Sequence, residues 1–215
     1  MVLVLATGNP GKLRECAAVL APAGCELLGL SAIPDATPVE ETGATFEANA
    51  RLKAEGYSRR TPHLVLADDS GLEVDALNRE PGVLSARYGG PGLTDEDRCA
   101  RVLAALSGTP DDQRTARFRC VLALAKDGRT LQTFDGVAEG TILRAPRGAN
   151  GFGYDPIFFH PPSGRTFAEL SLDEKERLSH RGLALRRLVR GIPVFRSEAV
   201  SGELRKKNRN APEEM

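Results

Sequence analysis

The chain opens with MVLVLATGNPGKLRE, residues 1–15, in which a short apolar run leads through a polar glycine turn into a charged, helix-like segment. The apolar run is continuous and partly β-branched, which is typical of a buried strand. Asn9 and Pro10 mark the start of a helix, because proline is favoured at the first helical positions. A strand, a tight turn and a helix in immediate succession predict an α/β protein.

The turn at residues 7–12 has two possible roles. A turn that enters a helix directs backbone N–H groups and the positive end of the helix dipole at whatever lies in front of it. Lys12 adds a full charge, and Thr7 and Asn9 add side-chain hydrogen-bonding groups. The turn is not a P-loop, because only two residues separate Gly8 from Gly11 and no Ser or Thr follows Lys12. Either a phosphate site or an ordinary strand-to-helix corner fits this stretch.

The rest of the chain alternates strand-like and helix-like segments. Further helices are predicted over residues 45–60, 94–106 and 171–190, and strands over residues 25–33, 63–67, 72–77 and within 115–143. Thr45 and Thr94 are candidate N-caps, and Ser171 with Glu174 forms a capping box. The KDGR segment at residues 126–129 predicts a hairpin turn. Residues 1–193 are expected to form one domain, and residues 194–215 a flexible C-terminal extension, because few apolar residues follow Gly191.

Composition narrows the class of protein. The 215 residues contain 29 basic and 29 acidic side chains, so nothing in the charge balance indicates a general nucleic-acid or membrane-surface binder. The four cysteines form no CxxC pair, and no stretch of about 18 apolar residues occurs. We expect a cytoplasmic protein with reduced thiols, with no membrane partner and no nucleic-acid partner.

Two pairs of carboxylates are candidates for metal chemistry. Glu40 and Glu41 close an acidic loop, and Asp68 and Asp69 are predicted at the end of a strand, where α/β proteins place their ligands. Adjacent residues of a strand point to opposite faces, so one aspartate can hold Mg²⁺ while the other braces a loop or accepts a proton. A solvated turn is the alternative interpretation of the aspartate pair.

A glycine loop, GANGFGYDPIFF at residues 148–159, is a candidate platform for a flat ring. Phe152 and Tyr154 are flanked by glycines, which allow a base to approach the backbone. Asp155 precedes a proline and is therefore expected to be extended. A buried aromatic at a strand edge is the alternative.

The helix predicted over residues 171–190 carries a group of polar side chains. Lys175 and Ser179 are four residues apart and share a face, and His180 and Arg181 follow. Adjacent histidine and arginine donors could read a carbonyl oxygen on a base. An ordinary charged surface helix is the alternative.

Taken together, the anion site, the carboxylates, the ring platform and the donors match the requirements of a nucleoside triphosphate site. The blocks TGNPGK, EETGATFEANARLKA, ADDSGLEVDAL, PGVLSARY, GFGYDPIFF and SHRG resemble, in this order, the inosine triphosphate pyrophosphatase family. The resemblance runs from residue 3 to about residue 190. It implies an elongated mixed sheet flanked by helices, with two lobes, a central cleft and a homodimeric assembly. It also implies hydrolysis of ITP, dITP or XTP to the nucleoside monophosphate and pyrophosphate.

The resemblance also implies roles for individual residues. Asp69 would ligate Mg²⁺ together with Glu40, supported by Glu41 and Asp68, and would accept the proton of the attacking water. The triphosphate would be held by Thr7, Gly8, Asn9, Pro10, Gly11 and Lys12, with Ser70 as a further substrate contact. The nucleoside would be bound by Phe152, Gly153, Tyr154 and Asp155, and the base and nearby phosphate by Lys175, His180 and Arg181.

Base selection is expected to depend on the 6-oxo group of inosine and xanthine. Donors from His180, Arg181 or the backbone would pair with this oxygen and would be left unpaired by adenine, at about 1–3 kcal/mol for each buried group. Two other functions remain open at this point. One is a Maf-like nucleotide pyrophosphatase, and the other is a non-catalytic module that binds a nucleotide or RNA.

Overall fold

The computed structural model describes residues 1–192, and within this range the strands form one mixed, seven-stranded sheet. β1 (Val2–Leu5) lies between β2 (Glu26–Leu28) and β3 (Leu64–Val74), and pairs with both in parallel. β2 is shorter than the strand predicted over residues 25–33, because the chain turns into a short 3₁₀ helix at Leu30–Ala32.

The other half of the sheet is antiparallel. Beyond β3 the strands follow in chain order: β4 (Thr115–Lys126), β5 (Arg129–Ile142), β6 (Phe158–His160) and β7 (Arg165–Thr166). The hairpin between β4 and β5 turns where the sequence predicts. Asp127 and Gly128 have φ angles of 51° and 78°, as a type I′ turn requires.

Helices flank this sheet, which confirms the predicted fold class. They are α1 (Pro10–Leu20), α2 (Phe46–Ser58), α3 (Asp95–Ala105), α4 (Leu172–Leu178) and α5 (residues 180–192). Thr45 and Thr94 cap α2 and α3 as predicted, and Ser171 and Glu174 form the predicted capping box of α4. No helix within residues 1–192 is both long and apolar enough to cross a membrane.

Three hydrophobic clusters form the core. Two of them lie at the β1 end of the sheet, on opposite faces, and the third lies at the other end. At the β1 end, one cluster, which includes Leu66, packs under α1 and α5, and another, which includes Ala67, packs under α2 on the opposite face. At the other end, Leu72 and Phe118 join a cluster with α3 and β6. The residues of β3 between these clusters are polar, so the sheet itself carries the boundary between the two halves.

The prediction that Asp68 and Asp69 end a strand is wrong. β3 continues through DDSG to Val74, because β4 pairs with it in register from Val65 opposite Ala125 to Val74 opposite Ala116. On its other side β3 loses its partner, since the pairing with β1 ends at Leu66. The two aspartates therefore lie just beyond the carboxyl end of β1, where a ligand can approach β3.

The single helix predicted over residues 171–190 is in fact two helices. Ser179 has a ψ angle of 158°, which interrupts the helix, and its hydroxyl accepts a hydrogen bond from the Gly182 N–H at 3.1 Å. Ser179 thus ends α4 and caps the start of α5. The break brings His180 and Arg181 to the N-terminus of α5, where both are buried. Residues 194–215, the expected flexible extension, lie outside the described residues.

Candidate active site

The turn before α1 satisfies its own backbone groups. The Asn9 side chain accepts hydrogen bonds from the N–H groups of Gly11 (2.8 Å) and Lys12 (3.1 Å), and the Thr7 hydroxyl accepts one from the Asn9 N–H (3.1 Å). The N–H groups expected to cradle a phosphate are therefore bonded within the turn. Asn9 and Lys12 are the residues of this turn that line the cleft, and Lys12 contributes its charge.

Asp68 binds four donors with its two oxygens. Oδ1 accepts hydrogen bonds from Lys12 and from the Ser70 hydroxyl (2.9 Å), and Oδ2 accepts them from Arg181 (2.9 Å) and the Cys120 thiol (3.1 Å). Burial alone would raise the pKa of Asp68, but the charges of Arg181 and Lys12 outweigh it and hold this pKa well below its ordinary value. Asp68 is thus an ionised brace whose oxygens are already occupied.

Asp69 points to the other face of β3 and is less fully bonded. Its Oδ1 lies 3.2 Å from Lys53 Nζ, which also lies 3.3 Å from Glu41, whereas its buried Oδ2 has no hydrogen-bond partner. Burial raises the pKa of Asp69 to about 6, although the charges of Lys53 and Lys12 oppose this rise. Asp69 therefore combines a free oxygen with a pKa suited to accepting a proton. Glu40, on the same loop as Glu41, is exposed.

A continuous row of ion pairs crosses the floor of the cleft. We call it the ion row, and its six side chains alternate in charge in the order Asp155, Lys175, Glu15, Arg181, Asp68 and Lys12. Glu15 is its centre, with one oxygen 2.7 Å from Lys175 and the other bound to Arg181. Burial raises the pKa of Glu15, but the two cations more than offset this effect, so the net shift is downward. Each buried charge in the row is thereby compensated.

Two members of the site were missed by sequence reasoning. Glu15 lies three residues after Lys12 on the buried face of α1, and Lys53 lies three residues after the buried Ala50 on α2. Both are charged side chains at positions where the helical period places apolar ones. This conflict was the available signal, and a charge on the apolar stripe of a helix requires a partner of opposite sign.

Phe152 is placed to present an aromatic face in the cleft. A side chain at Gly11 would put a Cβ atom 2.4 Å from the Phe152 ring, so only glycine lets the loop pack this closely on α1. The Lys175 ammonium lies 4.6 Å from the ring centroid, and the Arg181 guanidinium lies 5.5 Å from it. The half-buried ring therefore joins the glycine loop to α1 beside the ion row.

Tyr154 and Asp155 support the loop from below. Tyr154 is buried, and its hydroxyl donates to the Ser85 carbonyl at 2.8 Å, so it takes the buried-aromatic role that the sequence left open. Asp155 accepts a hydrogen bond from the Phe152 N–H at 2.9 Å. Burial raises the pKa of Asp155 although Lys175 lies against it. Tyr154 thus ties the loop to Ser85, and Asp155 acts directly on the position of Phe152.

His180 lies at the cleft as a neutral, incompletely bonded ring. It stacks on Phe118 with ring centroids 4.7 Å apart, and its buried Nδ1 has no partner. Burial, with help from the charges of Arg181 and Lys175, holds the pKa of His180 well below its ordinary value. The neutral ring thus lines the cleft with hydrogen-bonding capacity that the protein leaves unused.

Many of these groups line one cleft of about 180 Å³ that opens to solvent. The predicted site residues that line it are Asn9, Lys12, Ser70, Phe152, Gly153, Tyr154, Asp155, Lys175, His180 and Arg181. The carboxylates predicted to bind a metal are not in this lining; Asp69 lies on the α2 side of β3, close enough to Lys12 for the two charges to interact.

Comparison with known proteins finds close relatives over nearly all of the described chain. The model of the Ham1 family matches residues 3–191. A dITP/XTP pyrophosphatase from Geobacillus kaustophilus is 52% identical over 86% of this chain and 91% of its own length. The protein of the same name from Bacillus subtilis is 46% identical over 86% of this chain and 93% of its own length.

Solved structures agree with this match. A HAM1 protein from Coxiella burnetii superposes with a TM-score of 0.79 at 44% identity, covering 90% of this chain and 98% of its own. The Ham1 protein of Staphylococcus aureus gives a TM-score of 0.80 at 40% identity, covering 91% of this chain and all of its own. Both similarities extend across the sheet and the cleft rather than over one half.

Proposed function

This chain belongs to the Ham1 family, and from that membership together with the geometry of the cleft we propose that it hydrolyses deaminated purine nucleoside triphosphates. The substrates are ITP, dITP and XTP, and the products are the nucleoside monophosphate and pyrophosphate. The names of its relatives, dITP/XTP pyrophosphatases, support this assignment. They favour it over a Maf-like enzyme and over a module that binds nucleotides without turnover.

One structural observation carries the proposal. Lys12 of the α1 turn binds Asp68 at one end of the ion row, while Phe152 lies beside Lys175 and is held by Asp155 at the other end. A nucleoside triphosphate has the same polarity, with a flat base at one end and a chain of negative charges at the other. We therefore assign the polyphosphate to the Lys12 end and the base to the Phe152 end.

The residues around Asp69 fit a divalent cation. The buried Asp69 Oδ2 is unpartnered, and Glu41 faces the same ammonium group as Asp69 Oδ1. Within residues 1–192 no group of three or more His, Cys, Asp or Glu side chains forms a ready-made metal site, which suits Mg²⁺, an ion that commonly takes one or two carboxylates with water and phosphate oxygens. Asp69 with Glu40 or Glu41 would hold it. When bound, Mg²⁺ would neutralise charge on the transferring phosphoryl group.

Asp69 is the general base in this proposal. Its raised pKa leaves it ionised at neutral pH yet basic enough to accept a proton from a water molecule that attacks the phosphorus. Lys53 orients the carboxylate through Oδ1, which keeps Oδ2 available. Attack on phosphorus requires positioning and charge stabilisation rather than covalent catalysis, so these groups suffice.

The base is selected at His180. Its neutral ring, held by Phe118, lines the cleft, and its N–H can pair with the 6-oxo group of hypoxanthine or xanthine. All three guanidinium nitrogens of Arg181 already bind Glu15, Asp68 or Ser70, so Arg181 mainly fixes the floor beneath the base. Adenine, with an amino group at this position, would disturb the donor arrangement.

A substrate panel tests the function directly. Purified protein with Mg²⁺ is given ITP, XTP, dITP, GTP, ATP and dTTP, and pyrophosphate release is measured. ITP and XTP should turn over at least about tenfold faster than ATP, which corresponds to one unpaired buried group. Equal rates for ATP and ITP would contradict base selection at His180. Release of orthophosphate instead of pyrophosphate would contradict cleavage between the α and β phosphates.

The assembly and the compartment complete the proposal. By resemblance to the family we assign a homodimer, which sedimentation or light scattering of the purified protein would test. We also assign the enzyme to the cytoplasm, where the nucleotide pool that it would cleanse is located. A monomer in solution at the concentration of the assay would contradict the first assignment without affecting the activity.

A further inference from the structure

Helix α3 holds both backbone polar groups of Gly153 in the glycine loop. The Asp95 carboxylate accepts a hydrogen bond from the Gly153 N–H at 2.7 Å, and the Cys99 thiol donates to the Gly153 carbonyl at 3.4 Å. Asp95 is the first residue of α3, more than 50 residues away from the loop along the chain. The aromatic loop is thus attached to α3 as well as to α1.

The contact with Asp95 fixes a segment that would otherwise be free to rotate. Gly153 has a φ angle of 62°, in the left-handed region that glycine enters and leaves without strain. On the other side of Phe152, the Phe152 N–H is held by Asp155 at 2.9 Å. Carboxylates therefore hold the peptide N–H groups on both sides of the Phe152 Cα atom, and together they set the direction of its ring.

The two carboxylates differ in their surroundings. Asp155 is buried in the ion row, whereas the Asp95 side chain is about half exposed (54%) at the rim of the cleft, with Arg98 as its second partner at 3.3 Å. Removing Asp155 would leave Lys175 partly unpaired in the interior. Removing Asp95 takes the carboxylate from Arg98, whose side chain is 15% exposed, but leaves the ion row intact, so the melting temperature is measured beside the effect on the loop.

We propose that Asp95 is a positioning residue for the nucleoside: acting through the Gly153 N–H, it holds the Phe152 ring in the orientation that receives the base. This role rests on the proposed function. It predicts a defect in binding the nucleoside, because Asp95 bonds to the loop of Phe152 and is a member of neither the ion row nor the turn that carries Lys12. A charge-assisted hydrogen bond at this distance is strong enough to affect binding by about tenfold.

The test compares three variants with the wild-type protein. Asp95→Ala removes the acceptor, Asp95→Asn keeps a neutral acceptor of the same shape, and Glu96→Ala removes the neighbouring, exposed acid from the same helix turn. The measurements are kcat and KM for ITP, the inhibition constant of inorganic tripolyphosphate, which has no nucleoside, and the melting temperature. Glu96→Ala controls for the loss of a negative charge at the N-terminus of α3.

In Asp95→Ala, KM for ITP should rise about tenfold while kcat stays within about twofold and the tripolyphosphate inhibition constant is unchanged. Asp95→Asn should have an intermediate KM, and Glu96→Ala should match the wild type. An unchanged KM in both Asp95 variants would overturn the proposal. So would an equal rise in the tripolyphosphate inhibition constant, or an equal effect of Glu96→Ala.

The outcome also separates this inference from the proposed function. A wild-type protein that releases no pyrophosphate from ITP contradicts the proposed function itself. A wild-type protein that does so, together with Asp95 variants of unchanged KM, contradicts only the role of Asp95. If Asp95→Ala folds poorly, shown by its melting temperature, the Asp95→Asn variant decides the question alone.

Discussion

Asp68 and Asp69 are neighbours in the chain, yet they point to opposite faces of β3 and bind different cations, Arg181 and Lys12 in one case and Lys53 in the other. The alternation of side chains along a strand gives the two carboxylates separate environments. One is fully bonded and strongly acidic, and the other is partly bonded with a raised pKa. These differences in bonding and pKa lead to distinct predictions for the two residues.

Asp69→Asn should abolish turnover while substrate binding remains measurable. The amide cannot accept the proton of the attacking water, so kcat should fall by at least about 100-fold. Pyrophosphate release and calorimetric binding of ITP check this. Asp75→Asn is the matched control, because Asp75 is half-exposed beyond the end of β3 and pairs with Arg117. A fully active Asp69→Asn protein would refute its role as the base.

Asp68→Ala should destabilise the fold. It leaves the buried Arg181 without one partner and Lys12 without its carboxylate, a situation that typically costs about 3–5 kcal/mol in the free energy of unfolding. Asp135→Ala is the control, because Asp135 pairs with Arg187 on the surface, where such pairs contribute at most about 1 kcal/mol. Urea unfolding measures both variants, and equal losses would show that the ion row does not stabilise the protein.

Gly11→Ala should displace Phe152 and weaken binding of the base. The added methyl group would lie 2.4 Å from the ring, so KM for ITP should rise and the protein should lose about 1–3 kcal/mol through overpacking. At Gly108 a methyl group meets nothing within 4 Å, which makes Gly108→Ala the matched control. Adding Phe152→Leu to Gly11→Ala should restore stability but not KM. A stable, fully active Gly11→Ala protein would contradict this packing.

When the pH is lowered past about 6.5, the free energy of unfolding should decrease because of His180. The folded state keeps this ring neutral, since its pKa is well below 6.5, whereas the unfolded chain takes up a proton there. The stability is therefore present above the unfolded pKa and is lost as the pH falls. By linkage, the free energy of unfolding of the wild type should decrease by about 1.4 kcal/mol more than that of His180→Gln between pH 7.5 and pH 5.5. Parallel pH profiles for the two proteins would show that His180 takes up its proton in the folded state as readily as in the unfolded chain.

Deletion of residues 196–215 should leave kcat and KM for ITP unchanged. Every residue that we assign to the site lies before this segment, and its sequence has few apolar residues to add to a core. Kinetics of the truncated and full-length proteins compare directly. A large loss of rate would mean that the extension contributes to the site.

The sequence predicts the beginnings of structural elements better than their ends. Asn9, Thr45, Thr94 and Ser171 cap helices as expected, because a capping bond depends on residues only two or three positions away. The continuation of β3 through DDSG depends on β4, about 50 residues further along the chain. Local turn propensity gave the wrong answer there, since long-range pairing outweighed it.

The same distinction holds for the site. Individual motifs suggested the polar groups of the cleft, and family resemblance gave them roles, but neither revealed the ion row. Glu15 and Lys53 are charged side chains among several in their helices, and their partners are distant in sequence. The break at Ser179 was also missed, because helix-forming residues surround it on both sides. Only the folded chain shows which opposite charges meet.

Lys12 stands at the solvent end of the ion row, with 17% of its side chain exposed, whereas the other five members are at most 6% exposed. A polyphosphate bound as we propose would therefore compete with Asp68 for an ammonium group that is already neutralised. Binding would exchange one anion for another at the Lys12 end of the ion row. Its driving force would be the difference between the attraction of Lys12 to the polyphosphate and its attraction to Asp68. Such an arrangement would weaken the binding of other phosphates. It would also favour release of the product, because Asp68 can pair with Lys12 again.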